Sequence, residues 1–514
     1  MRTRASRLRS VPERRLAAGL TRATCPAMFT GPMGSLMTSP VILPMRIEPL
    51  NVAVFMIVAA ALHSSARSAF PSDADTSPAR APSAVHIQES NATAPGWRLP
   101  PTRPVTRVNP RLVNYFHMDL AEGRVDHKER RLAQWNVVIL NHDIVLKEKL
   151  SLTRMRRTNP RIKLLAWIPL QGPNDGMSKG VPAPGDADWY ARRADGTYLA
   201  PHWGGHLMDV CIQGRAWLRH VLRYVRRHCL GPGGYDGLML DCLWAAEPTG
   251  HDANSDGVHD ARDTAAWRES MLFLLRQLRA EFPDAILVGN GGLPWPADCP
   301  YYEYANGCMH ENALGDQFGG TEWLVLWNAC QTALSRISNR PACHLIQGDI
   351  RADRRTQAAA ARQRALTPND CRRFRLGLAT ALLVDGAYFG FDRGDCLHGQ
   401  LWWFDQYDLD LGAPLGACVE GRVGPGTFAR DFERGLVVVN PTQTPVSIAD
   451  TLDSSRGIGG AKGSAFIVPP RDARILPAGP RKPAASPRRS LRPGERDRDS
   501  HSIGRGSRQA RTVA

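Results

Sequence analysis

Two acidic residues, Asp241 and Glu303, stand in surroundings that could put a carboxylate to chemical use. The run Tyr235-Asp236-Gly237-Leu238-Met239-Leu240-Asp241 reads as a strand, with an acid at its end after largely apolar positions. Side chains alternate faces along a strand. Gly237, Met239 and Asp241 therefore share one face, and Asp236, Leu238 and Leu240 share the other. Ionised acids are costly to bury, so an inward Asp241 needs a use. The second acid, Glu303, lies within Tyr301-Tyr302-Glu303-Tyr304-Ala305-Asn306. Aromatic surroundings would desolvate it and raise its pKa, as a general acid requires. Two such carboxylates can cleave a glycosidic bond, one attacking the anomeric carbon or directing water, the other protonating the leaving oxygen.

Strands must hold these groups, and eight candidates alternate with helical patterns. They are 112–118, 135–141, 162–169, 235–244, 285–292, 301–306, 343–349 and 380–391. Between them, 214–229 puts Trp217, Val221, Tyr224 and Val225 on one side. Residues 264–282 repeat Trp267, Met271, Leu274, Leu275 and Leu278 at helical spacing, and Pro283 ends the pattern. This order predicts an α/β chain, a (β/α)8 TIM-type barrel over 108–414. Short strands without long helices follow, at 426–431, 435–440 and 464–468, and predict a small antiparallel β-domain over 415–476.

Barrel enzymes keep their sites at the C-terminal ends of the strands. That rule nominates His117 and Asp119, Asn141 and His142, Trp167, Asn290, Gln347 and Asp349, and Asp385 and Tyr388 as lining the cavity. Trp203, Trp244 and Trp402 are loop candidates for stacking on a sugar. Asn and Gln suit hydroxyl groups because each donates and accepts.

Some of these runs resemble a known family. YDGLMLD (235–241), followed by YYEYAN (301–306), resembles the glycosyl-hydrolase-like TIM barrels related to the endo-α-1,4-polygalactosaminidase type of glycoside hydrolase. WWFDQYDLDLGAPLG (402–416) and FARDFERGLVVVNPT (428–442) are similar to hypothetical glycosyl hydrolase family fifteen, in which a β-domain with a turn matching Asn440-Pro441 follows the barrel. The resemblance spans roughly residues 108–445. It implies Asp241 as nucleophile or base and Glu303 as acid, but no particular glycan.

A further loop could bind a cation. Asp252, Asn254, Asp256, Gly257, Asp260 and Asp263 match the spacing of a calcium-binding loop, with Asp in place of the last Glu. A structural Ca2+ there would order the rim beyond Asp241; no other cofactor is expected.

The net charge of +16 does not indicate a nucleic-acid protein. Residues 1–44 carry +6 and residues 478–514 carry +7, which leaves the body near neutral. No basic module with interleaved aromatics lies between the tails, so no specific nucleic-acid partner is expected. The apolar run 52–62 (VAVFMIVAAAL) is too short to span a bilayer. With the small residues after it, the run fits a secretory signal over 45–69. Met45 is the expected start, with 1–44 a basic leader that need not be translated. A Pro-, Ser- and Ala-rich linker is expected over 70–107, and a basic disordered tail over 477–514. Ten cysteines remain after Cys25 is set aside, an even number compatible with disulfides in an exported chain. The expectation is a secreted or periplasmic monomeric glycoside hydrolase acting on a polysaccharide or oligosaccharide, with no transmembrane anchor after signal removal. The competing expectation is a glycan-binding barrel without turnover.

Overall fold

The computed structural model describes residues 96–116, 125–171, 181, 188–201, 205–292, 294–311, 313–314, 323–350, 366–394, 398–448 and 466–478. The leader, the signal segment, residues 70–95 and nearly all of the basic tail lie outside the described residues, as do His117, Asp119, Trp203 and Cys396.

Eight parallel strands form one sheet in sequence order: β1 (Val113–Phe116), β2 (Val137–Leu140), β3 (Lys163–Pro169), β4 (Gly237–Asp241), β5 (Ile286–Asn290), β6 (Gly307–His310), β7 (His344–Asp349) and β8 (Ala387–Asp392). A parallel bridge between Leu112 and Phe389 joins the last strand to the first. The inward residues Val113, Val137, Ile139, Leu165, Met239, Val288, Met309 and Leu345 pack into one apolar cluster that fills the barrel. Alternate residues face the helices. Leu238 and Leu240 therefore join the outer cluster while Asp241 points inward at the top.

The helices are α1 (Lys128–Leu132), α2 (His142–Lys147), α3 (Leu152–Thr158), α4 (Ile212–His228), α5 (Ala261–Glu281), α6 (Trp323–Arg336) and α7 (Pro368–Leu383). The patterns read at 214–229 and 264–282 become α4 and α5. In α5, Trp267, Met271, Leu274, Leu275 and Leu278 are all buried against the barrel. Two expected strands move. The sixth begins at Gly307 rather than 301, because Pro300–Glu303 forms a 3-10 turn. The eighth expected run, 380–391, opens on the end of α7, and its strand begins only at Ala387. The start of α7 is fixed by Thr367, whose hydroxyl caps the helix, and by Pro368 in the first turn.

Beyond the barrel, β9 (Val419–Glu420), β10 (Phe428–Phe432), β11 (Gly435–Asn440) and β14 (Asp472–Pro477) make an antiparallel sheet in the order β14-β11-β10-β9. A separate pair joins β12 (Val446–Ile448) to β13 (Phe466–Val468). The Asn440 amide donates to the carbonyls of Thr444, Val468 and Pro469, which holds the Asn440-Pro441 turn. The sheet is tied to α7 by the Arg375–Asp472 ion pair at 2.6 Å.

Part of the expected linker is built into the fold. Trp97 is buried and stacks on Trp402 with ring centroids 5.6 Å apart. Arg98 pairs with Trp403 through both backbone hydrogen bonds. Nine described cysteines, Cys211, Cys229, Cys242, Cys299, Cys308, Cys330, Cys343, Cys371 and Cys418, are free thiols, so the even count does not translate into disulfides among them. Among the described residues no helix is long and apolar enough to cross a membrane.

Candidate active site

The chemistry gathers where the strands end. Asp241 closes β4, and its carboxylate is held from several sides. Trp167 Nε1, from β3, donates to Oδ2 at 2.9 Å. Asn290 Nδ2, from the end of β5, donates to Oδ1 at 2.9 Å. The backbone N–H of Cys242 donates to the same oxygen at 3.0 Å. The Tyr115 hydroxyl lies 3.4 Å from Oδ2. Cys242 adopts a left-handed φ of 59°, an uncommon conformation for a non-glycine residue. Strain of this kind concentrates at functional sites, and here it accompanies an amide turned onto Asp241.

The second carboxylate is Glu311, the residue after β6. Its position continues the inward alternation of Gly307 and Met309. Asn290 Nδ2 donates to Glu311 Oε2 at 2.8 Å while also donating to Asp241, so one amide nitrogen bridges the two acids. Loss of water around Asp241 pushes its carboxyl up to about 6, helped by the negative charge of Glu311 and opposed by the bonds from Trp167, Asn290 and Cys242. The Glu311 side chain retains 22% exposure and so reaches the open mouth.

Behind Glu311 stands His398. Its Nε2 lies 2.9 Å from Glu311 Oε1, and its Nδ1 lies 2.9 Å from Asp392 Oδ2 at the end of β8. Burial opposes a charge on this imidazole, but Asp392 and Glu311 raise its pKa well above the ordinary histidine range. Gln347 Nε2, from β7, donates to Asp392 Oδ1 at 2.6 Å, and the Gly394 N–H donates to the same oxygen at 2.8 Å. Gly394 has φ of 62°, and a Cβ there would come within 2.4 Å of Asp349. Only glycine allows that N–H to turn onto Asp392.

The nominated residues therefore divide. Asp241, Trp167, Asn290 and Gln347 meet in one network at the mouth. Asn141 follows β2 on the inward alternation, and its Oδ1 caps α2 by accepting from the Asp143 N–H at 2.9 Å. Trp244 is half-buried at the rim, with its carbonyl accepting from Trp267 Nε1 at 3.0 Å. Asp349 ends β7 beneath Gly394. His142 turns outward toward Tyr235 and His228.

Four nominations fall elsewhere. Glu303 is exposed on the 3-10 turn before β6, at the opposite end of the barrel, where its carbonyl accepts from Asn339. Tyr388 faces inward but near the base of β8, where Lys163 Nζ donates to its hydroxyl at 3.0 Å. Asp385 precedes β8 and pairs with Arg430 of β10 at 2.6 Å. Trp402 is core, 1% exposed, and unavailable for stacking on a sugar.

The acidic loop after β4 organises itself around backbone amides. Asp252 accepts from the N–H groups of Asp256 and Gly257, and Asn254 from Asp256. Asp260 and Asp263 form a capping box on α5, and Arg262 pairs with Asp256 and Asp260. Among the described residues no three His, Cys, Asp or Glu side chains converge as a metal site. Glu311, His398 and Asp392 were absent from the sequence reading.

The profile of hypothetical glycosyl hydrolase family 15 matches residues 159–436. No protein of curated function matches the sequence. Solved structures similar to this chain include the glycoside hydrolase domain of PelA from Pseudomonas aeruginosa, at 16% identity and a TM-score of 0.34 over 57% of this chain and 98% of that one. They also include a noncanonic maltogenic α-amylase AmyB from Thermotoga neapolitana, at 11% identity and a TM-score of 0.40 over 72% of this chain and 99% of that one. The chain belongs to hypothetical glycosyl hydrolase family 15.

Proposed function

We propose that this protein is a retaining glycoside hydrolase acting on a polysaccharide or oligosaccharide, with Asp241 as nucleophile and Glu311 as general acid and base. The observation that carries the reading is the single Asn290 nitrogen bonded to both carboxylates. Two oxygens that share one donor at 2.9 and 2.8 Å lie less than about 6 Å apart, which suits the ~5–5.5 Å spacing of retaining enzymes rather than the wider gap that admits a water.

Environment separates the two roles. Asp241 accepts from Trp167, Asn290 and Cys242, and donors on both oxygens favour the ionised form a nucleophile needs. Glu311 is more accessible and has a titratable neighbour on its other oxygen, as proton exchange with a substrate requires. Asp241 attacks the anomeric carbon while Glu311 protonates the departing glycosidic oxygen, which takes the bonding pair. Water then gives a proton to Glu311 and its oxygen to the anomeric carbon, and the Asp241–carbon pair returns to the carboxylate.

Export remains part of the proposal, supported by the apolar run 52–62 and the small residues after it. Sequencing the amino terminus of exported protein checks it: a start near residue 70 agrees, and retention of residues 45–69 contradicts it.

The functional test is reducing-end release from a panel of polysaccharides, amino-sugar polymers included, with the configuration of the first product followed by proton NMR. Retention of configuration is expected. Inversion would remove Asp241 as nucleophile. Binding of a polymer without release would favour a barrel without turnover.

A further inference from the structure

A general acid must hold a proton at the pH where it works. An ordinary glutamic acid gives its proton up near pH 4.3, and Glu311 has an acidic neighbour in Asp241. Glu311 also contacts an imidazole 2.9 Å away, whose other nitrogen is 2.9 Å from a second carboxylate, Asp392. Asp392 is itself fixed by Gln347 and by the Gly394 N–H. The Tyr115 ring, 4.6 Å from the imidazole centroid, covers its face.

We infer that His398, backed by Asp392, is a positioning residue that keeps one proton at its contact with Glu311 through the neutral range, ready for transfer to the leaving group. This rests on the assignment of Glu311 as acid and base. The same proton count can be written with the proton on Glu311 Oε1 or on His398 Nε2, and Asp392 accepts the Nδ1 hydrogen in both. When Glu311 passes its proton to the leaving oxygen, the pair is one proton short. When Glu311 takes a proton from the attacking water, the pair is restored, so the cycle closes without another acid.

The groups that face this contact come from every strand around it. Glu311 stands at the end of β6 and Asp392 at the end of β8, with the Tyr115 phenol on β1 and neutral Gln347 on β7. Asp241 on β4 reaches Glu311 through Asn290. Asp349 lies beneath Gly394, with Arg373 of α7 facing it at 3.7 Å. Tyr407, in the turn Asp405–Asp408, is close enough to feel the Asp392 charge. The negative groups outnumber the cations, which favours a retained proton.

The test follows the imidazole directly, so it does not depend on knowing the glycan. The full chain labelled with 15N-histidine is titrated by NMR, with His398→Gln identifying the signal. The expected His398 signal titrates well above the ordinary histidine midpoint, and in Glu311→Gln or Asp392→Asn its midpoint falls by a unit or more. A midpoint near 6.5 in the parent, or one unmoved by Glu311→Gln, overturns the inference. On any polymer the parent cleaves, His398→Gln and Asp392→Asn should move the alkaline limb of kcat/KM down by a unit or more. A uniform loss at every pH would leave His398 a merely structural role. Coupled titration in a parent that cleaves no polymer would support the shared proton and count against the hydrolase reading instead.

Discussion

The two ends of the barrel handle charge in opposite ways. At the N-terminal base, charges meet opposite or neutral partners: Arg156 with Asp236 at 2.8 Å, Arg430 with Asp385 at 2.6 Å, Lys163 with the Tyr388 hydroxyl at 3.0 Å. At the mouth, two carboxylates share one amide donor, and an imidazole is wedged between one of them and a third carboxylate. Opposite charges in contact need no explanation beyond folding. Like charges brought together out of water raise each other's proton affinity, and such arrangements cluster at functional sites. The base also holds an open cavity of about 650 Å3, lined by Arg161, Lys163, Asp236, Glu281 and Asp284 among others. An open cavity alone therefore does not locate the chemistry; the arrangement of charge does.

If the contrast holds, substitutions at the mouth and the base should separate cleanly. Asp241→Asn is expected to lower kcat/KM by about 10³-fold or more, whereas Tyr388→Phe at the base should leave it within about twofold. A nucleophile must be ionised, and the Asp241 carboxyl is pushed up to about 6. Parent activity should therefore fall as pH drops through about 6. A rise there would mean that Asp241 is the acid and would exchange the two roles.

Asn290→Ala removes the donor common to both acids. Hydrogen bonds to charged groups contribute about 1.5–3 kcal/mol, so a loss of roughly 10–100-fold in kcat with little change in thermal midpoint is expected. An unchanged kcat would show that the bridge is incidental.

Arg430→Ala acts on the other side of the comparison. The Arg430 guanidinium is buried, pairs with Asp385 and donates to the carbonyls of Leu382 and Leu383. Its loss should cost about 1–3 kcal/mol of stability, measured by denaturant unfolding, and leave the rate per folded molecule unchanged. Reduced turnover at full occupancy of the fold would break the distinction between the ends.

The last effect concerns two histidines on the outward face of the strands, and it touches stability alone. Burial lowers His310 to about 4 and His344 to about 3, against about 6.5 when unfolded. Both are neutral in the folded chain. Below pH 6.5 the unfolded chain gains protons that the folded one refuses, so stability falls as pH drops toward 4 and then 3. Each histidine contributes a slope of up to about 1.4 kcal/mol per pH unit. His310→Leu should make the fall between pH 6 and 4 shallower; an unchanged slope would show that His310 does not drive it.

Much of the mouth was legible because strand alternation is a strong local rule. Asp241, Asn290 and Gln347 each occupy an inward position at a strand end, and the flanking apolar runs show it. Glu303 misled because Tyr301-Tyr302-Glu303-Tyr304 has strand-like composition, while Pro300 starts a 3-10 turn there. The true strand, Gly307–His310, has only four residues, but the same rule applied to it selects Glu311. Asp385 and Tyr388 were misplaced because the Thr367-Pro368 helix start went unread, which put strand eight several residues early. His398 carries no local signal: it lies on a loop after β8, and only the folded barrel carries that loop past β7 to Glu311 at the end of β6. The calcium-loop spacing runs into α5, whose capping box is formed by its last two acids, Asp260 and Asp263.

The central claim is that the second carboxylate stands at the mouth, and one side-by-side measurement addresses it. Glu311→Gln and Glu303→Gln are compared with the parent for release of reducing ends from a polymer the parent cleaves. The account predicts a loss of roughly 10²–10⁴-fold in Glu311→Gln and parental activity in Glu303→Gln. Loss in Glu303→Gln with activity kept in Glu311→Gln would contradict it.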